Sequence, residues 1–171
     1  MEAFLVEPDS PQRFTAAQDL AVLLYEKHIY NALCDEYKSL YFAHKLLREI
    51  EDGERIIIFS AENNQINGCV HGVLQDGVYT CHIMFKRRTD AVKACLMFEE
   101  EMKIFCRKRK IDLNLVRGFI PVFNRAAIRT GKAWGAVDQG ISDNEVFWRN
   151  GVPWPCHRME KEIELWRFWR H

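Results

Sequence analysis

The sequence predicts an α/β fold in the order strand, two helices, three strands, helix, strand, helix, strands. Three observations carry this reading. RIIIFS (Arg55 to Ser60), GCVHGVL (Gly68 to Leu74) and VYTCHIMF (Val78 to Phe85) are successive apolar, partly β-branched runs, the last two joined by the hairpin former Asp76-Gly77. Ala91, Cys95, Phe98, Met102 and Phe105 recur at spacings of four and three, which puts them on one helical face with Glu99, Glu100, Lys103 and Arg107 on the other. The stretch IPVFNRAAIRTGKAWGAVDQG, Ile120 to Gly140, reads as the end of a strand, a proline, a short helix and a second strand.

In chain order, Ala3 to Val6 suits a first strand and Pro8 to Pro11 a turn. Ala17, Leu20, Leu24 and Ile29 place a helix over Phe14 to Leu33, with Thr15 as a cap. Tyr37, Leu40, Tyr41, His44, Leu47 and Ile50 form the stripe of a second helix that ends before Asp52-Gly53, and His44 reads there as a packed or edge histidine. A polar turn, Glu62 to Asn67, separates the first two meander strands. Lys86 to Asp90 leads into the amphipathic helix, which should lie flat on the sheet. The cations Arg107 to Lys110 suit that helix's C-terminal dipole better than a nucleic-acid patch.

Ile111 to Ile120 then reads as a strand. Asn124 can cap a helix carrying Ala126, Ala127, Ile128 and Ala133, and Gly135 can end it in a left-handed conformation before a strand at Ala136, Val137 and Ile141. Phe147 to Cys156 and Arg158 to Ile163 should form a final hairpin with Gly151 and Pro153 in its turn. Beyond it, Trp166, Phe168 and Trp169 alternate with Arg167, Arg170 and His171. Aromatic and arginine side chains concentrate where proteins meet partners, so this tail either contacts a protein or folds back on the sheet edge.

A length of 171 residues with 48% hydrophobic content suits a single domain over 1–171, its last residues 164–171 an aromatic and basic tail. The 24 Lys and Arg balance the 24 Asp and Glu, so no overall charge draws the chain to nucleic acid or to an anionic membrane. No apolar run approaches the roughly 18 residues of a membrane span, and MEAFLVEPDSPQR lacks a secretory pattern. The expectation is a cytoplasmic protein. The six cysteines show no CxxC or zinc-finger spacing and are read as reduced, packed thiols; no metal is expected.

The element order and the spacing Asn124, Ala127, Gly135 resemble the GNAT superfamily of N-acetyltransferases over almost the whole chain. The resemblance implies a GNAT-like acyl-CoA N-acyltransferase fold: a mixed, mostly antiparallel sheet flanked by helices. It also implies acetyl-CoA as the acyl donor and a primary amine as acceptor. In that family the turn before the third helix holds the CoA pyrophosphate. Arg88 takes the family's first position, Ala91 and Lys93 stand where it has glycines, and the amides of Thr89, Asp90, Ala91, Val92 and Lys93 would be the donors. The same residues also read as an ordinary helix start capped by Thr89 or Asp90.

By the same resemblance, Met84 and Phe85 would face the pantetheine arm as strand backbone, and Asn124 would sit near CoA as well as cap its helix. The family's leucine–tyrosine pair is Thr130 and Gly131 here and its phenylalanine is Ala136, so the tyrosine that protonates the leaving thiolate has no counterpart. On the strand that carries the family's base, His82 has a suitable unperturbed pKa for the role, beside its reading as a half-buried packing residue. Cys81 and His82 should point to opposite faces, which argues against a Cys–His nucleophile. The segment IPVFNRAAIRTGKAWG is also similar to acetyltransferase-like proteins of phages and prophages. That likeness implies the alternative of a non-catalytic protein acting in head assembly or in the virion, located in the host cytoplasm or virion, with the tail as its contact surface.

Overall fold

The computed structural model describes residues 1–6, 12–31, 34–35, 38, 45, 48–49, 52, 54–63, 65–87 and 91–164. Seven strands form one sheet: β1 (Glu2–Leu5), β2 (Ile56–Glu62), β3 (Gln65–Gln75), β4 (Val78–Phe85), β5 (Leu115–Pro121), β6 (Val137–Arg149) and β7 (Val152–Glu162). Their order across the sheet is β1-β2-β3-β4-β5-β7-β6. Every neighbouring pair is antiparallel except β4 and β5. That one parallel contact needs a crossover, which the helix α3 (Ala91–Arg109) supplies. The mixed, mostly antiparallel sheet flanked by helices is therefore present as the sequence implies.

Side-chain alternation divides the core in two. On one face Ile57, Phe59, Cys69 and Met84 pack beneath Leu20, Leu23 and Leu24 of α1 (Gln12–Leu24) and Ile29 of α2 (Lys27–Tyr30). On the other, Ile58, Val70, Tyr79, Cys81 and Val116 meet Ala94, Phe98, Met102 and Cys106 of α3. Burying a large apolar side chain of this kind contributes about 1.5–3 kcal/mol. The buried Tyr79 hydroxyl donates to the Ile56 carbonyl at 3.1 Å, which offsets its desolvation. Five cysteines are buried and Cys34 is partly so; all six are free thiols.

The helix α4 (Arg125–Trp134) follows the expected local chemistry closely. Asn124 accepts from the Ala127 N–H through its side chain at 3.2 Å. At the far end Gly135 takes φ 98°, and the Gly135 and Ala136 N–H groups close on Lys132 and Gly131 carbonyls. A side chain at Gly135 would be strained there, so the residue choice ends the helix.

Four expectations are corrected. The first helix is not capped by Thr15 and does not run on to Leu33: α1 begins at Gln12, so Thr15 lies inside it, and stops at Leu24, Glu26 takes an extended ψ of 123°, and the separate α2 turns Ile29 into the core. No glycine or proline marks this break. The first meander turn is shorter than Glu62 to Asn67, because Glu62 already pairs with Gln65 and Ala61 with Ile66 after a bulge at Ser60. Ile111 is not in a strand; with Lys110 left-handed at φ 55°, its N–H closes the end of α3 on the Cys106 carbonyl, and β5 begins at Leu115. Pro153 is not in the last turn. It pairs with Trp148 inside β7, and Asn150-Gly151, both at positive φ, make the turn. The stripe Tyr37 to Ile50, the turn Pro8 to Pro11 and the tail residues Trp166, Phe168 and Trp169 lie outside the described residues.

Two measurements check this account. A Cβ at Gly72 would overlap the Thr80 carbonyl oxygen and lie 2.8 Å from the Cys81 Cα, both backbone atoms that cannot swing aside. Gly72→Ala is expected to destabilise the protein by about 2–3 kcal/mol in urea titration, as overpacking does. Asp138 is bonded by His157 Nδ1 at 3.0 Å, by the Gly140 N–H at 3.0 Å and by Lys132 at 3.1 Å; His157 first among these holds its carboxyl down to about 2. A depressed folded-state pKa contributes stability that is complete above the unfolded value and lost as pH falls toward 2. Asp138→Asn should therefore lower the melting temperature at pH 6 and flatten its decline between about pH 4 and pH 2.

Candidate active site

The site forms where the sheet comes apart. β4 and β5 pair only through Val78↔Leu115, Tyr79↔Val116 and Thr80↔Arg117. Beyond that point each strand stays fastened to its outer neighbour, β4 to β3 as far as Phe85↔Gly68 and β5 to β7 as far as Pro121↔Cys156. The inner edges of 81–85 and 118–121 are thus not laddered to one another, and a cavity of about 280 Å³ opens between them. Its walls are β4 from Cys81 to Phe85, β5 from Gly118 to Pro121, Ala91 and Cys95 of α3, and Ala126, Ala127, Thr130, Gly131 and Trp134 of α4.

Pleating sorts these residues between two ends. Cys81 faces α3, whereas His82 shares the opposite face with Met84 and lies across the strand pair from His71. The expected opposition of Cys81 and His82 is therefore present. Asn124 lines the cavity while capping α4. Met84, Phe85 and Ala91 also line it, but Val92 and Lys93 are not part of the wall, and Lys93 is exposed. Arg88, Thr89 and Asp90 lie outside the described residues.

Behind His82 is a polar row that starts at the buried His71 and becomes partly exposed at Arg55 and Glu49. The His71 ring stacks on the His82 ring at 5.5 Å between centroids, and Arg55 reaches His71 Nδ1 at 3.0 Å while its Nε donates to Glu49. Guanidinium only donates, so His71 Nδ1 accepts and its ring proton sits on Nε2. Burial first, then the neighbouring His82 and Arg55, push the His71 pKa well down and keep it neutral. On the helical side, burial raises the Cys81 thiol far above its ordinary value and Cys95 to about 12. Neither is a thiolate near neutral pH.

Trp134 is fixed as a wall by one carboxylate. Glu99 Oε2 accepts from Trp134 Nε1 at 3.0 Å and from Lys161 at 2.6 Å, Lys103 lies 2.7 Å from Oε1, and the Lys161 ammonium sits 4.7 Å from the indole centroid. Burial opposes the Glu99 charge, but the hydrogen bonds from Lys103 and Lys161 outweigh it and hold the carboxyl below its usual range. At the opposite end, Phe119 and Phe147 line the cavity with Ile29 and Cys34. The sequence gives no local signal for these two phenylalanines, which reach the cavity from strands β5 and β6 on either side of β7.

Among the described residues no group of three or more His, Cys, Asp or Glu side chains could hold a metal ion, and no helix is long and apolar enough to cross a membrane.

No family model matches the sequence, and no curated protein matches it. Solved structures do. An acetyltransferase of Salmonella typhimurium that modifies the N-terminal serine of a 50S ribosomal subunit protein is 11% identical, with 96% of each chain covered and a TM-score of 0.73. A GNAT-family acetyltransferase of Streptococcus pneumoniae is 17% identical over 95% of this chain and 100% of its own, with a TM-score of 0.65. The spermidine N-acetyltransferase of Vibrio cholerae, solved with CoA and spermine, is 14% identical over 94% of this chain and 95% of its own, with a TM-score of 0.60. The chain therefore has the fold of the GNAT acetyltransferases along nearly its whole length.

Proposed function

We propose that this protein transfers an acetyl group from acetyl-CoA to a primary amine held in the gap between β4 and β5. The observation that carries the reading is the termination of the β4/β5 ladder at Thr80 and Arg117, which opens a lined cavity in a sheet otherwise continuous from edge to edge. Two described residues at the start of α3 support this reading. Ala91 contributes only a methyl group to the wall and Lys93 is exposed outside it, so neither replacement of the family's glycines blocks the approach of a phosphate to the start of α3.

In this reading Arg88 and the amides of Thr89, Asp90, Ala91, Val92 and Lys93 hold the pyrophosphate, Met84 and Phe85 offer strand backbone to the pantetheine arm, and Asn124 lies beside it. Acetyl-CoA supplies the acetyl group as an activated thioester. His82 holds the proton that the attacking nitrogen gives up. The cavity's buried thiols do not compete for that role, because Cys81 and Cys95 stay protonated and are too weakly acidic to exchange protons near neutrality. Neutral His71, stacked behind His82, keeps a second imidazolium charge away from the base. Trp134 and the small residues Ala126, Ala127 and Gly131 leave room for the arm along α4.

A second reading, a non-catalytic protein of phage head assembly or the virion, has one observation in its favour. The outer strand β6 exposes Ile141, Val146 and Trp148 on one face, an apolar row available to a partner.

Calorimetric titration separates the two. Acetyl-CoA and CoA are expected to bind in the micromolar range, and Arg88→Ala to weaken both about tenfold, the loss of one charge-assisted phosphate contact. Absence of binding to either ligand would sink the transferase reading. For the base, His82→Ala should lower kcat by about 10²–10⁴ while leaving the acetyl-CoA dissociation constant unchanged; undiminished turnover would remove His82 from the mechanism.

A further inference from the structure

The acceptor end of the cavity differs in chemistry from a site for a polycation. Among the described residues that line the cavity there is no aspartate, glutamate, lysine or arginine. On the His82 side the wall is Ile29, Cys34, Phe119, Pro121 and Phe147. The Phe147 ring is buttressed edge-on by Phe123 at 5.8 Å, and Phe123 in turn meets Trp154 at 5.1 Å. Arg149 lies outside the lining, its guanidinium 5.0 Å from the Phe123 centroid.

Three described acids near this wall, Asp35, Glu26 and Glu49, are already engaged. Asp35, next to Cys34, accepts the Asn150 N–H at 2.7 Å on one oxygen and the Gly151 N–H at 2.9 Å on the other. Those two backbone bonds hold its carboxyl below the usual range. Glu26 lies 3.6 Å from Lys86, and Glu49 is bound to Arg55. A substrate ammonium deep in this end would lose water without meeting a carboxylate among the described lining residues, an unfavourable change. A ring or branched alkyl group there would instead bury apolar surface, and a ring could pack edge-to-face on Phe147.

We infer that the acceptor is a monoamine with an aromatic or branched-hydrocarbon body, its single amino group at His82 and its body against Phe119 and Phe147. This rests on the transferase reading and adds the substrate class to it. The amine nitrogen forms the new N–C bond, the acetyl carbon's bond to sulfur breaks with its electron pair leaving on sulfur, the nitrogen's proton passes to His82 and from there to solvent, the CoA thiolate takes a proton from solvent, and the products are the N-acetyl amine and CoA.

The test measures CoA release from acetyl-CoA with 2-phenylethylamine, isopentylamine and spermidine on the full chain. Both monoamines are expected to show kcat/KM at least tenfold above spermidine. Phe147→Ala should raise KM for 2-phenylethylamine about tenfold and leave KM for acetyl-CoA unchanged, with the melting curve confirming that the variant folds. If it does not fold, Phe147→Leu should still raise that KM several-fold, because the edge-to-face contact is lost while most of the apolar bulk stays. Spermidine used as well as or better than the monoamines would overturn the acceptor class and leave the transferase standing. Acetyl-CoA binding with no turnover of any of the three would overturn the acceptor class and the transfer reaction together.

Discussion

The parting of β4 from β5 is the constraint on which the remaining architecture depends. Parallel strands in the middle of a sheet normally satisfy each other's backbone groups along their length. Here three residue pairs do so, and then the strands follow their outer neighbours instead. The gap survives because both outer partnerships are antiparallel and long: β3 holds β4 through eight paired positions and β7 holds β5 through seven. Packing on the two faces reinforces the division. α3 covers the paired half with Phe98, Met102 and Cys106, while α4 stands over the open half without a fully buried side chain of its own.

That arrangement explains why small residues recur along the helical side of the cavity. Gly118, Ala126, Ala127 and Gly131 are spaced by strand and helix geometry onto one surface, and a Cβ on Gly131 would already press on the Met159 side chain at 3.2 Å. The large residues of the wall are the ones with outside support, Trp134 through Glu99 and Phe147 through Phe123. Space at the centre and bulk at the ends thus have separate physical causes.

Much of the fold was legible because its signals are local. The Asp76-Gly77 turn, the four-and-three spacing on α3, and the Asn124 and Gly135 caps each act over fewer than five residues, and all appear as expected. What escaped the sequence is set at a distance. The break at Glu26 carries no glycine or proline, Ile111 serves a helix end because Lys110 turns left-handed, and Pro153 sits in β7 opposite Trp148. The site divides the same way. His82, Met84, Phe85, Ala91 and Asn124 come from the chain segments flanking the gap and could be placed by topology. Phe119 and Phe147 could not, because which strand faces carry them to the cavity depends on the order β5-β7-β6 across the sheet.

The two ends of the cavity are built to different stiffness. On the helical side, Glu99 ties α3, α4 and β7 together through partly buried contacts, where water competes weakly for the donors. On the Phe147 side, the hairpin that carries this residue is tethered by Asp35, 115 residues earlier in the chain than Asn150, through hydrogen bonds that lie in solvent. Bonds of that kind open at low free-energy cost. The indole wall is thus held by contacts that water reaches poorly, and the β6–β7 tip by contacts that water can replace.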